Sequence, residues 1–328
     1  MRATIKDVAS RANVGIATVS RVLNGEEYVA AATRERVLAA CHDLGYTRNN
    51  LARSLKTGAT DNIGVAIMSR HAPVILNPFY AVVIGGIEQA LEDAGKHLLL
   101  SSLRRRDELI DLAREGRVDG LIVVGCDIAD HELARLAESG RSVVLIDNEF
   151  DGLTSVSTDN HQGGRLAAEH LLATGCTRPA FVAENLDNPN FKQRLAGFRS
   201  VLDEAGVPLL ATGIAAGGDS WDGGYYAMRR VLEAGHVPDG VLAANDPAAL
   251  SACRALHQAG LRLPDDVRLI GFDDIYLAAQ AEPALTTVRV EKLELGRLGA
   301  TRLLDLLGGS SPDQRTVLPT ALVHRATA

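Results

Sequence analysis

The stretch ATVSRVLNG at residues 17–25 carries a side chain able to read chemistry from a partner. At about 100° per residue, Val19, Val22 and Leu23 share one helical face, and Ala17, Arg21 and Asn24 lie opposite. An outward face of Ala, Ser and a single Arg has little bulk and can enter a groove. An arginine there can bond bidentately to O6 and N7 of a guanine, and Ile16 and Ala17 can pack on thymine methyl groups. Thr4, Thr18, Ser20 and Asn24 complete this candidate DNA-facing set.

A second group lies farther along the chain. Asp147, Asp159, Arg194, Asn245, Asp246 and Asp273 each follow or border a predicted strand terminus. Phe79, Tyr80 and Trp221 are among few aromatics, which make up 4% of the chain. Polar groups around aromatic faces are how a closed pocket holds a sugar: carboxylates and Arg bond the hydroxyls and rings cover the C–H faces. Each Asp equally suits a helix N-cap or a turn, Asp159 and Asp246 above all, because a helix follows each directly. Four carboxylates against Arg194 favour a neutral mono- or disaccharide. A phosphate, with charge of about −1.5 to −2, would meet like charges in a water-poor cleft, unless Lys192 or Arg104–Arg106 reached the mouth. A nucleobase would also suit the stacking rings.

Signatures of catalysis are missing. The chain has no GxSxG, GxxxxGK[ST] or HExxH, and no GxGxxG after a strand. The nine His residues show no metal spacing, and Cys41, Cys126, Cys176 and Cys253 form no CxxC pair. Reduced buried thiols, no metal, no cofactor and no enzymatic activity are therefore expected. MRATIKDVAS has no secretory apolar core, and no apolar run approaches the roughly 20 residues of a membrane span. A cytoplasmic protein with no membrane partner is the expectation.

The elements that must position these residues follow from periodicity. The chain's 328 residues suit two or three units. Residues 1–60 carry a net charge of +4 and the remainder −11, so a small basic head on an acidic body points to a head that meets a polyanion. Ile5, Val8, Ala9 and Ala12, then Val19, Val22 and Leu23, then Val37, Leu38, Cys41 and Leu44 predict three short helices. The first two are broken only by NVG, the spacing of a helix-turn-helix; a three-helix bundle that binds nothing would show the same periodicity. NNLARSLKTG at 49–58 reads as two further helical turns, capped by Asn50 and stopped by Gly58. From residue 62 onward apolar runs alternate with amphipathic helices in two series. That pattern implies parallel sheets covered on both faces, with ligands held beyond the carboxyl ends of the strands.

ATIKDVASRANVGIATVSRVLNG, TRERVLAACHDLGY and NNLARSLKTG together resemble the lactose/galactose repressor (LacI/GalR) family of bacterial transcription regulators. So do NPFY, RVDGLIV, STDN, RLAGF, AAND, IGFDD and LTTVR across the body, and the resemblance covers nearly the whole chain. It implies an all-α helix-turn-helix head at 1–48 and a hinge helix and linker at 49–61. It further implies an α/β body at 62–328 of two doubly wound parallel-sheet subdomains like those of periplasmic binding proteins. The N-subdomain would span about 62–159 and 288–318, and the C-subdomain about 160–287 and 319–328. The implied function is sequence-specific repression gated by a small-molecule effector, most simply a sugar. The partners would be a second copy of the chain and a pseudo-palindromic double-stranded operator. On this resemblance Leu55 would wedge into the minor groove, with Arg53 and Lys56 near phosphates. Asp147, Arg194 and Asp273 match effector-contacting positions. A soluble sugar-binding protein, or a regulator answering a nucleobase or sugar phosphate, is the alternative. Three departures stand out: Gly15 and Ala30 replace the usual Ser at two N-cap positions, and the stretch between LLLSS and VDGLIV is short. The ending LPTALVHRATA reads as a final strand, which suits a dimer rather than a tetramer.

Overall fold

The structure, a computed structural model, describes residues 3–23, 28–46, 59–68, 77–103, 108–126 and 128–328. The chain divides into two compact units, Met1–Thr60 and Asp61–Ala328.

The first unit holds α1 (Ile5–Ala12), α2 (Ile16–Leu23) and α3 (Ala31–Asp43). Asn13 ends α1 in the left-handed region, at φ 51°. There its N–H donates to Ser10 O at 3.2 Å and the Val14 N–H donates to Ala9 O at 3.0 Å. This arrangement satisfies the last carbonyls of α1 and turns the chain sharply into α2. Val8, Ala9, Ala12, Val19, Val22, Val37 and Ala40 form the buried core of the three helices. Gly15 and Ala30 stand at the starts of α2 and α3, as expected, and neither supplies a side-chain acceptor to the first turn.

The second unit begins with β1 (Asn62–Met68), α4 (Pro78–Asp93), β2 (His97–Leu103), α5 (Glu108–Arg114), β3 (Gly120–Val124), α6 (Asp130–Ala137), β4 (Val143–Ile146) and β5 (Thr154–Thr158). It continues with α7 (Asn160–Ala173), β6 (Pro179–Ala183), α8 (Pro189–Glu204), β7 (Ile214–Ala216), α9 (Gly223–Glu233), β8 (Gly240–Ala243), α10 (Asp246–Gln258), β9 (Arg268–Asp273) and α11 (Tyr276–Gln280). It closes with β10 (Thr286–Val290), α12 (Lys292–Leu307), β11 (Arg315–Leu318) and β12 (Thr320–Val323). Two six-stranded sheets result, in the orders β11-β5-β4-β3-β1-β2 and β12-β10-β9-β8-β6-β7. Runs such as GLIVV and VVLI are buried at every residue, because helices cover both faces of each sheet. In the stretch that the sequence marks as short, α5 spans seven residues.

Two details differ from the sequence expectation. Among the described residues, all strand pairings are parallel except β10 with β12. Only Pro319 separates β11 in the first sheet from β12 in the second. A chain leaving the first sheet at its carboxyl edge enters the second sheet at that sheet's carboxyl edge, and so runs against its strands. β10 also pairs with β9 across residues 286–289, so the expected subdomain division at 287/288 falls inside a strand. The chain crosses instead between Val290 and Lys292.

Candidate functional site

In the head, α2 presents Ile16, Ala17 and Arg21 to solvent, with Ile16 45% exposed, while Val19 and Val22 face the core. Thr18 and Ser20 are half-buried beside them. The Arg21 guanidinium lies 5.7 Å from the centroid of the Tyr28 ring, a cation–π contact that holds it near the start of α3. Thr4 is exposed at the start of α1, where its N–H and its hydroxyl both donate to Asp7 Oδ2 at 2.8 and 2.7 Å. Asn24, Asn50, Arg53, Leu55 and Lys56 lie outside the described residues, as do Arg104–Arg106.

In the body, the carboxyl ends of the strands converge on a polar group built around Arg194. Helices α7 and α8 cross with their backbones in contact: a Cβ on Gly164 would stand 2.0 Å from Arg194 O, and one on Gly197 would stand 1.9 Å from His161 O. This approach places Arg194 beside Asn160 at the start of α7. Arg194 Nε donates to Asn160 Oδ1 at 2.8 Å and Nη1 donates to Ala244 O at 2.6 Å. The guanidinium rests on the Phe272 ring, 3.7 Å from its centroid. Its Nη1 lies 3.3 Å from Asp273 Oδ1, an ion pair misaligned for a hydrogen bond, so that this buried oxygen has none. Burial pushes the Asp273 carboxyl above the usual carboxylate range, against the pull of Arg194 and Lys292.

Two hydrogen bonds among the described residues tie the N-subdomain to the start of α8. Asn190 Nδ2 donates to Asp147 O at 3.4 Å, and the Cys126 thiol donates to Asn188 Oδ1 at 3.4 Å. Asp147 follows β4 at φ 60° and is buried. Phe79 and Tyr80, at the start of α4, meet edge to face with centroids 5.4 Å apart. Phe79 turns into the core and Tyr80 is half-buried. Gly125 has φ +98°, so the backbone favours glycine after β3, and a Cβ there would press on the Tyr80 hydroxyl at 3.1 Å.

The structure thus brings Arg194 and Asp273 together, sets the Asp147 main chain against Asn190, one turn before Arg194 on α8, and assigns other work to several sequence candidates. Asp246 has no exposed surface, and both its oxygens are engaged: Thr287 Oγ1 donates to Oδ1 at 2.5 Å and the Ile275 N–H donates to Oδ2 at 2.8 Å. With both oxygens occupied, it ties α10 to β10 and to the loop after β9. Asp159 Oδ1 caps α7 through the Gln162 N–H at 2.8 Å, and Asn245 Oδ1 caps α10 through the Ala248 N–H at 2.8 Å. Trp221 is 48% exposed on the turn before α9.

Sequence reasoning missed four residues here. Asn160 and Phe272 hold the guanidinium from two sides. Lys292 is buried, and its ammonium donates to the carbonyls of Asp273, Asp274 (3.0 Å) and Val290 (3.2 Å), clasping the crossover to the loop after β9. Glu184 directly follows β6, and its Oε2 is sealed from solvent without a hydrogen-bond partner. Burial pushes this carboxyl up to about 7, and Asp273 adds to the rise, while Asn245 and Arg194 oppose it. The signal for Glu184 was the strand-end rule that found Asp147 and Asp273, applied to PAFVAE. No pattern in the chain marks Asn160, Phe272 or Lys292, since their roles depend on crossing helices.

A helix-turn-helix head and a two-sheet body with a buried polar group at its strand ends are the parts of a ligand-responsive DNA-binding regulator. Residues 4–49 match the model for bacterial regulatory proteins of the lacI family, and residues 168–328 match a periplasmic binding protein-like domain. The HTH-type transcriptional regulator CelR of Thermobifida fusca is 34% identical over 99% of this chain and 98% of its own length. The ribose operon repressor of Escherichia coli K12 is 33% identical over 99% and 100%. Among solved structures, a lac repressor dimer bound to operator and an anti-inducer superposes with a TM-score of 0.89 at 30% identity, covering 100% of this chain and 99% of that one. A CelR–cellobiose complex superposes at 0.75 and 33% identity, covering both chains fully. The chain belongs to the LacI family of bacterial transcriptional regulators.

Proposed function

We propose that this regulator is a dimeric, cytoplasmic repressor without catalytic activity, whose α2 reads the operator and whose cleft binds a neutral sugar that shifts the protein between DNA-binding and released states. The observation that carries the sugar assignment is a surplus of acceptors. Arg194 is already committed to Asn160, Ala244 and Asp273, whereas Glu184 Oε2 is sealed from solvent without a hydrogen-bond partner. Such a site needs donors. Hydroxyl groups supply them; a phosphate would add charge that no uncommitted group of the Arg194 cluster offsets. The cellobiose complex of CelR and the ribose operon repressor's name point to the same class of effector. Tyr80, with Trp221 and Phe79 nearer the edge and the core, supplies the apolar wall.

Calorimetry comparing sugars with their phosphate esters tests the cleft: tight binding of an ester with none of the parent sugar would overturn the assignment. A gel-shift assay on the DNA upstream of the gene tests the head. Arg21→Ala should remove the preference for operator over random DNA while sparing weak nonspecific binding, since a bidentate guanine contact is worth about 1–3 kcal/mol per half-site. Retained preference would remove Arg21 from the reading set.

A further inference from the structure

We propose that Glu184 is a direct, specificity-determining contact of the effector, its Oε2 accepting a hydrogen bond from a sugar hydroxyl. The inference rests on the reading of the cleft as a neutral-sugar site. Glu184 is the first residue beyond β6, on the carboxyl edge shared with Asn245 after β8 and Asp273 at the end of β9. Its main chain is held in place: the Gly218 N–H donates to Glu184 O at 2.9 Å. On that side α9 begins so close that a Cβ on Gly223 would stand 2.8 Å from Glu184 Cγ. The carboxylate feels the charges of Asp273 and Arg194 and accepts from Asn245. Asn245 uses its Oδ1 to cap α10, which leaves its amide hydrogens for Glu184. One oxygen of Glu184 is still sealed from solvent with no donor.

A buried carboxylate oxygen without a donor is unfavourable in the folded protein, and the neighbouring elements do not relieve it. From β9 comes Asp273, a like charge; from α8 comes Arg194, already engaged; from α10 comes the uncharged Asn245. The turn before α9 carries Asp219 and Asp222, and Asp222 is paired with Arg254 at 2.7 Å. A ligand hydroxyl at this point would relieve the carboxylate, whereas a ligand oxygen with no hydrogen would face two acceptors. The same geometry couples binding to pH. With the free carboxyl raised to about 7, accepting from a hydroxyl requires loss of its proton, so affinity falls as pH drops through 7.

The test uses the full chain. Thermal shift against D-ribose, D-xylose, D-glucose, D-galactose, lactose and cellobiose selects the sugar that raises the melting temperature. Calorimetry with that sugar then compares wild type, Glu184→Gln and Glu184→Ala at pH 6 and pH 8. Both variants should bind about 10- to 100-fold more weakly at pH 8, the range of a lost charge-assisted hydrogen bond. Wild-type affinity should fall about tenfold from pH 8 to pH 6. Glu184→Gln should show a flatter profile, and the slope that persists belongs to Asp273 and Asp246. Sugar-free Glu184→Gln should melt no lower than wild type at pH 8, because it removes an uncompensated buried charge. A markedly lower melting temperature would show the carboxylate paired and overturn the proposal. So would variants that bind the sugar as tightly as wild type, or with the same pH slope; that result leaves the sugar site standing and removes Glu184 from it. If no sugar shifts the melting temperature, the sugar reading fails and this contact fails with it.

Discussion

At the scale of single residues, Asp246 shows how far a carboxyl can be moved from its ordinary chemistry. Desolvation, with repulsion from Asp273, raises it to about 8. The folded protein therefore keeps this proton from about pH 4 to pH 8, where the unfolded chain has lost it. Stability from this group is complete below pH 4 and declines as pH rises toward 8. Asp246→Asn can keep both bonds, with its Oδ1 accepting from the Ile275 N–H and its Nδ2 donating to Thr287 Oγ1. Urea midpoints of Asp246→Asn should fall less steeply between pH 5 and pH 8 than those of wild type. Asp246→Ala, by contrast, strands two buried partners and should cost about 2–4 kcal/mol at pH 7. An unchanged slope in the Asn variant would mean that Asp246 is ionised when buried.

At the scale of elements, two departures from ideal helix chemistry can be tested. Ala30 begins α3 with no side-chain acceptor, and a serine there can accept from the N–H groups of the first turn. Ala30→Ser should stabilise the head by about 1 kcal/mol, read as slower hydrogen exchange of α3 amides with no change in the body. The crossing of α7 and α8 has no such slack. Gly197→Ala places a methyl group 1.9 Å from a main-chain oxygen, so the helices must part. Overpacking of this kind typically costs about 1–3 kcal/mol, and it would also pull Arg194 away from Asn160 and Phe272. The variant should therefore lose both melting temperature and sugar affinity. A loss of stability with unchanged affinity would show that Arg194 is positioned independently of the crossing.

At the scale of the molecule, the body is joined through three strand crossings. At two of them the chains bond to one another: the Asp159 N–H donates to Leu318 O at 2.9 Å and the Thr320 hydroxyl donates to Asp159 O at 3.4 Å. Lys292 clasps the third. Any rigid-body movement of one sheet against the other would have to turn about these three points. On the N-subdomain, Val82, Leu99, Leu100 and Leu293 are 39 to 46% exposed, apolar area suited to an isologous interface. Light scattering should give a mass near twice the 34.8 kDa chain over a wide range of dilution. A monomer at the concentrations that bind operator would contradict the dimeric reading.

What could be read from the chain alone was whatever local periodicity and strand-end position encode. The three helices of the head, the outward Arg21, the two series of strands and helices, and the strand-end positions of Asp147 and Asp273 were legible; Arg194, expected at a strand terminus, is instead the sixth residue of α8. An apolar stripe or run fixes which face is buried, and a residue just past a parallel strand faces the ligand edge. Only the tertiary structure decided among carboxylates of equal local standing. Asp159 and Asp246 both stand at helix starts, yet one caps α7 at the hinge and the other, the first residue of α10, is sealed against β10. Glu184, which sequence reasoning passed over, holds an unpartnered oxygen beside Arg194. The physical reason is that burial, hydrogen-bond partners and the field of neighbouring charges come from residues far apart in sequence. Asn160, Ala244, Phe272 and Lys292 meet Arg194 and Asp273 only because α7, α8 and the crossover into α12 pack as they do.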